Sequence, residues 1–89
     1  MTHEPGPEAA ELIARSGNVA VVQLAGRRFP GLLIQGDTFS TLLASVREAR
    51  VPGADVDAEL SDLDERMTEL IEFYENTLAQ HGIERPYVR

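Results

Sequence analysis

One row of carboxylates in the C-terminal third has residue types and a spacing that could do chemistry. Asp62, Glu65, Glu69 and Glu72 are separated by three, four and three residues, which places them on one side of a helix. Such a row can bind a divalent cation, or imitate nucleic-acid phosphates for a basic toxin. A solvated helix face predicts the same pattern, and the row lacks the turn geometry of a calcium loop. We take the four residues as candidate partner-binding residues and predict no metal ligand.

The rest of the sequence shows no arrangement that is typical of catalysis or of cofactor binding. His3 stands in the N-terminal lead, and His81 stands in the last turn of a predicted helix, where an imidazole suits the exposed carbonyl groups. The chain has no Cys, no Ser/His/Asp arrangement and no glycine-rich phosphate loop. We therefore predict a protein that is not an enzyme and that uses no cofactor.

Arg27 and Arg28 stand together at the tip of a predicted β-hairpin. A guanidinium group forms a forked pair with a carboxylate or a phosphate, so these two residues are also candidate partner-binding residues. Two exposed arginines in a turn are more often merely solvated.

The charge of the chain is concentrated at one end. The formal net charge is −7, and residues 54–89 carry all of it, with ten acidic residues and three Arg. This imbalance argues against nucleic acid or an anionic membrane as the partner, because both require Lys and Arg surfaces. It is compatible with a basic protein partner, and also with a charge that only maintains solubility. The absence of Cys and of any long apolar run favours a cytoplasmic protein without a membrane span.

The N-terminal half predicts a short helix and a β-hairpin. Residues 1–7 read as a disordered lead, and residues 7–16 as a helix that Gly17 ends. Residues 18–24 and 28–35 read as two strands, joined by a turn in which Gly26 is left-handed. Pro30 has no N–H group to donate, so it should lie at the start of the pairing or on an outer edge.

Both faces of this hairpin are largely apolar. Val19 and Val21 point to one side, and Ala20, Val22 and Leu24 point to the other. Strands of this kind are usually covered on both faces. We expect the chain's own helices to cover one face and a second subunit or a partner to cover the other face or the open edge. The alternative is that all three predicted helices enclose the hairpin within one chain.

The C-terminal half predicts two helices. Gly36-Asp37-Thr38 forms a corner in which Asp37 or Thr38 accepts hydrogen bonds from first-turn N–H groups, and Val51-Pro52-Gly53 ends the first helix. Residues 55–81 predict the second helix, with an acidic outer side that includes Glu75. Its apolar residues form a heptad-like seam: Val56, Leu60, Leu63, Met67, Leu70, Tyr74 and Leu78. Gly82 and Ile83 fit a Schellman ending, and Pro86 prevents continuation.

The segment of residues 29–50 resembles the HicB antitoxin family. The resemblance lies in Phe29-Pro30-Gly31, three apolar residues, Gln35-Gly36-Asp37-Thr38 and a helix that ends in Val46-Arg47-Glu48-Ala49. It implies a partial ribonuclease-H-like α/β fold without nuclease activity, which binds and blocks a small ribonuclease toxin. The chain departs from that family where a long acidic helix replaces a final strand, and no DNA-binding segment follows. The whole chain, including residues 81–87, also resembles a family of short uncharacterised bacterial proteins.

These patterns together predict one α+β domain over residues 8–85, with the element order helix–strand–strand–helix–helix and a tail at residues 86–89. We expect a self-associating, antitoxin- or immunity-like interaction protein. It would bind a basic protein partner, such as a toxin or an enzyme, through the acidic helix and the strand edge at residues 19–24. The alternative is a structural or regulatory subunit that acts through homo-oligomerisation.

Overall fold

A three-stranded antiparallel sheet and two helices form the fold, which belongs to the α+β class as predicted. The structure is a computed structural model, and it describes residues 9–88. The elements are β1 (Ala10–Ser16), β2 (Val19–Leu24), β3 (Gly31–Ile34), α1 (Gly36–Ala49) and α2 (Val56–Gln80). The predicted lead at residues 1–7 lies outside the described residues.

The predicted N-terminal helix is wrong, because Ala10–Ser16 forms strand β1 and pairs with β2. A ten-residue helix is marginal in water, whereas this segment gains a ladder of backbone hydrogen bonds by joining the hairpin. The register shifts between Leu12 and Ala14, so Ile13 is an extra residue that packs against the core. This β-bulge hides the two-residue alternation that would have marked a strand.

Two glycines shape the turns of the sheet. Gly17 has a φ of 57°, and no residue other than glycine has a positive φ within residues 9–88, so Gly17-Asn18 forms a type II′ hairpin turn. Gly17 is therefore a hairpin residue and not the end of a helix. Gly26 has a φ of 79°, which confirms its predicted left-handed conformation, and the N–H of Arg27 donates to the carbonyl of Leu24.

Strand β3 is shorter than the predicted strand at residues 28–35. Pro30 directly precedes β3, as predicted for a residue that cannot donate to the ladder. The Tyr74 hydroxyl of α2 donates to the carbonyl oxygen of Pro30 over 2.6 Å. This hydrogen bond ties the start of β3 to α2.

Helix α1 begins at the predicted corner, and the predicted hydrogen bond from a first-turn N–H to Asp37 is present. The N-cap residue is Gln35, and its side chain makes no capping hydrogen bond. Asp37 does accept from a first-turn N–H, that of Thr38, over 2.8 Å. Asp37 also places a negative charge in the first turn, at the positive end of the helix dipole.

Helix α2 begins and ends close to the predicted limits. Asp55 is the N-cap, and its side chain accepts from the N–H of Ala58 over 3.1 Å. At the other end, the N–H of Ile83 donates to Leu78 and the N–H of Gly82 donates to Ala79. With Gly82 at a φ of 67°, these bonds confirm the Schellman ending.

The core lies between one face of the sheet and the C-terminal half of α2. Val21, Tyr74 and Leu78 are buried together, and Ile13 and Leu32 pack against them. Helix α1 packs mainly along the N-terminal half of α2, where Leu63 is buried. The two helices form an arm, and the radius of gyration of 16.2 Å exceeds the roughly 12 Å of a compact domain of this length.

Candidate functional site

The predicted acidic residues form a continuous exposed row on α2. We call Asp62, Glu65, Glu69 and Glu72 the acidic face; all four are exposed. Asp62 pairs with Arg66 over 3.1 Å, and both side chains are about half exposed, so the pair contributes little to stability. Within residues 9–88, Glu65, Glu69 and Glu72 have no ion pair. Their charges are therefore available to a partner.

Glu75 does not belong to this exposed side, which corrects the prediction for that residue. Its side chain is only 5% exposed, and its Oε2 atom accepts from the Tyr87 hydroxyl over 3.1 Å. The Arg85 guanidinium lies 3.5 Å from the same oxygen. Glu75 thus holds residues 85–87 against α2, and Tyr87 stacks on Tyr74 with ring centroids 6.4 Å apart.

Burial raises the pKa of Tyr74 and of Tyr87 above their usual value. For Tyr87 the hydrogen bond to Glu75 and the negative charge of that carboxylate raise the pKa further, and Arg85 opposes them. Both phenols are therefore structural hydrogen-bond donors at neutral pH.

Arg27 and Arg28 lie on the connection between β2 and β3, and both are exposed as predicted for a hairpin tip. The Arg28 guanidinium lies over the Phe29 ring, 4.9 Å from its centroid. Both arginines line a cleft of about 430 Å³ together with Phe29, Pro30 and Pro86. No contact joins them to the acidic face among the described residues, so the candidate residues form two separate surfaces.

The predicted binding edge at residues 19–24 is not available. β2 is the central strand of the sheet, and it pairs with β1 on one side and with β3 on the other. The prediction failed because residues 10–16 were assigned to a helix, which left β2 without its second neighbour. The outer edges of the described sheet belong to β1 and β3.

The apolar side of the helical arm is exposed. We call this surface the apolar helical face. Its members are Phe39, Leu43, Val46, Val56, Leu60 and Met67, all of which are exposed. Sequence reasoning missed it because spacing shows which residues share a face, but not whether a neighbour covers that face. The sequence did contain one signal. The stripe of α1 that faces α2 includes the polar residue Ser45, so several apolar residues of α1 lie outside the contact between the two helices.

The two sides of the arm differ in polarity. On one side, Phe39 of α1, Met67 and Ile71 of α2 and Leu32 and Ile34 of β3 line an apolar cleft of about 410 Å³. On the other side, a cleft of about 300 Å³ is lined partly by polar groups, which include Thr41, Arg66 and Glu69. The arm therefore has one side suited to water and one suited to a protein surface.

The sheet also has an uncovered side, which we call the open sheet face: Leu12, Val22, Leu24 and Leu33. Leu12 pairs with Val22, and Leu33 pairs with Ala20, so these residues lie opposite Val21 and α2. Leu12, Leu24 and Leu33 are each about half exposed. The prediction that the chain covers only one face of the sheet with its own helices is confirmed for residues 9–88.

The described residues hold no group of three His, Asp or Glu side chains that is placed to bind a metal ion. Within the same range, neither helix is both long enough and apolar enough to cross a membrane.

Comparison with known proteins identifies the family of the chain. No curated protein and no solved structure matches it significantly. A family model does match, and it covers residues 6–87, which is nearly the whole chain. The match spans the sheet, both helices and the segment that Glu75 holds against α2. The chain therefore belongs to the family of unknown function DUF6959.

Proposed function

We propose that this protein is a non-catalytic interaction protein that binds a basic protein partner through the acidic face of α2, in the manner of an antitoxin or immunity protein. The observation that carries the proposal is the row of carboxylates on a rigid helix, three of which have no ion pair within the described residues. The resemblance of residues 29–50 to HicB antitoxins supports the same class. A chain without Cys suits a cytoplasmic site of action.

The position of the acidic face supports this function. It lies on the polar side of the arm, where Glu69 lines the cleft beside Arg66. Carboxylates held side by side on a helix raise the negative potential locally, which attracts a basic surface and speeds association. Neither the apolar helical face nor the open sheet face is needed for this contact, so a partner bound there would leave both free.

The test is capture of a basic partner from a lysate of the native host by three forms of the immobilised protein. The first is the wild type, and the second replaces Glu65, Glu69 and Glu72 by Gln. The third is a matched control that replaces the exposed residues Glu11, Glu48 and Glu84 by Gln, so it changes the net charge equally but leaves the acidic face intact.

We expect the wild type and the control to retain the same basic protein at low salt and to release it at about 0.5 M salt, where charges are strongly screened. The acidic-face variant should bind the purified partner about tenfold more weakly or worse. Equal binding by both triple variants, or capture of no basic protein, would contradict the proposal.

A second candidate function is a structural or regulatory subunit that acts through homo-oligomerisation. The favouring observation is the amount of apolar surface that one chain leaves uncovered on the arm and on the sheet. Soluble monomers rarely expose contiguous apolar patches of more than a few hundred Å². The two candidates are compatible, because the acidic face lies away from both apolar surfaces.

A further inference from the structure

We propose that the apolar helical face docks onto the same face of a second copy of the chain, so that two arms form a four-helix bundle in which α1 of one copy faces α2 of the other. The proposal rests on the second candidate function and names the surface through which self-association takes place. It also fixes the relative orientation of the two copies.

The uncovered surface of the arm is close to the size of a stable interface. The six side chains of the apolar helical face each expose about half of their area. With roughly 200 Å² for a fully exposed large apolar residue, they offer on the order of 600 Å². The partly buried Leu42 and Ile71 border this surface and add to it. The total approaches the roughly 800 Å² per partner of a standard interface.

The apolar seam of α2 is only half covered. Its C-terminal part, Tyr74 and Leu78, is buried against the sheet. The same seam continues through Met67, Leu60 and Val56 in steps of seven and four residues, and these three side chains are about half exposed. α1 covers the neighbouring stripe at Leu63 instead. Helices from a second copy would complete the seam as the core of a bundle.

The rim of this face is complementary to itself in charge. On α1, Arg50 continues the stripe of Phe39, Leu43 and Val46 at a spacing of four residues, and Arg47 follows Leu43 by four. These two exposed arginines give the α1 rim a positive charge. Within residues 9–88 neither of them has an ion pair.

The rim on α2 has the opposite sign. Asp64 follows Leu60 by four residues, and Asp57 precedes it by three, so both lie beside the apolar stripe. When two arms meet about a twofold axis that runs along them, α1 faces the second copy's α2, and the arginine rim meets the aspartate rim twice. Both rims lie near the connection between the helices, so the connections of the two copies lie side by side.

This self-complementarity identifies a second copy as the occupant. A partner of unrelated sequence would need an apolar surface of the same shape with both charge rows placed to match. A second copy provides them by symmetry. The open sheet face has fewer exposed large side chains, and it serves as the internal comparison in the test.

The first experiment measures molar mass by light scattering during size-exclusion chromatography. Wild type should elute as a dimer of about 19.6 kDa, twice the 9.8 kDa chain. Leu60→Glu should give a monomer, because it places two unpaired charges in the bundle. The matched control is Leu33→Glu on the open sheet face, which is equally exposed (50% against 54%) and should remain a dimer. Circular dichroism checks that both variants are folded.

The outcomes separate this proposal from the one on which it rests. A monomeric wild type would overturn both. If the wild type is a dimer, Leu33→Glu is a monomer and Leu60→Glu remains a dimer, the proposed helical interface is wrong. Self-association would then take place through the open sheet face. Neither result concerns the acidic face, which is tested by its own variants.

A charge exchange tests the orientation without touching the apolar residues. Replacing Arg47 and Arg50 by Asp should weaken the dimer at least about tenfold, because like charges then face each other. Adding Asp57→Arg and Asp64→Arg to the same chain should restore the dimer. The variant with all four substitutions should dimerise more strongly than the variant with the two arginine substitutions alone. If it does not, the proposed pairing of α1 with the second copy's α2 is contradicted.

Discussion

Tyr74 is the residue that joins most parts of the fold. Its ring is buried with Val21 and Leu78, it stacks on Tyr87, and its hydroxyl donates to Pro30. The heptad-like spacing of α2 correctly placed Tyr74 on the apolar seam. The hydrogen bond to a residue 44 positions away could not be predicted, because nothing in the sequence indicates which carbonyl lies within reach.

Replacing Tyr74 by Phe should lower the free energy of unfolding by about 1–2 kcal/mol, because the carbonyl of the buried Pro30 loses its donor while the ring packing stays. Urea denaturation followed by circular dichroism measures the change. An effect below about 0.5 kcal/mol, the range of an ordinary surface substitution, would show that this hydrogen bond contributes no net stability.

The two tyrosines also predict how stability depends on alkaline pH. Burial raises the pKa of both phenols above 10.0 in the folded state, and the Glu75 carboxylate raises that of Tyr87 further. The stabilisation is therefore complete below about pH 10 and is lost as the pH rises through the folded pKa values. The chain has no Lys and no Cys, so the tyrosines are its only side chains with an ordinary pKa in the range of about 8–12.

Unfolding experiments between about pH 9 and pH 11 measure this dependence. Wild type should lose stability with increasing pH. Tyr87→Phe should lose less stability over the same interval, because it lacks one of the two phenols whose pKa is raised in the folded state. The same loss in both proteins would contradict the assignment of the effect to Tyr87.

At the scale of the elements, the ends of α2 were predictable and the nature of β1 was not. Asp55, Gly82 and Pro86 mark helix ends by local chemistry that acts over a few residues. β1 carries Ala and Glu, which are poor strand formers, and its bulge at Ile13 breaks the alternation. Its conformation is fixed by pairing with β2, which is a tertiary effect that propensity does not report.

Gly82→Ala should destabilise the protein by about 1 kcal/mol, because Gly82 has a φ of 67° at the C-terminal end of α2. A methyl group at that position would meet no atom within 4 Å, so the cost comes only from the backbone conformation. Gly36→Ala is the matched control. Gly36 lies in the first turn of α1, has no positive φ and also has open space around it, so stability should be unchanged or slightly raised. Equal effects of the two substitutions would contradict the structural role of Gly82.

At the scale of the whole molecule, the described residues 9–88 leave part of their apolar surface uncovered. The sequence correctly indicated two apolar faces on the hairpin and an acidic side on the long helix. It wrongly indicated an open edge at β2, and it did not show that the stripe of α1 stays exposed. Those two facts depend on which elements become neighbours, and short-range patterns do not determine that.

We propose that the protein acts by binding through the exposed arm and the acidic face. In this proposal the apolar side of the arm contacts a second copy, and the acidic face contacts a basic partner. A dimer would present two acidic faces, and the apparent affinity for a partner with two basic sites would rise accordingly. Self-association through the arm is therefore the central proposal for this protein.

The most direct test is an isotope-filtered NOE spectrum of a mixture of carbon-13-labelled and unlabelled chains, which reports only contacts between copies. We expect NOEs from the Phe39 ring and the Leu43 methyl groups of one copy to Leu60 and Met67 of the other. A dimer whose NOEs between copies arise only from Leu12, Leu24 and Leu33, or a sample with no such NOEs at all, would contradict the claim.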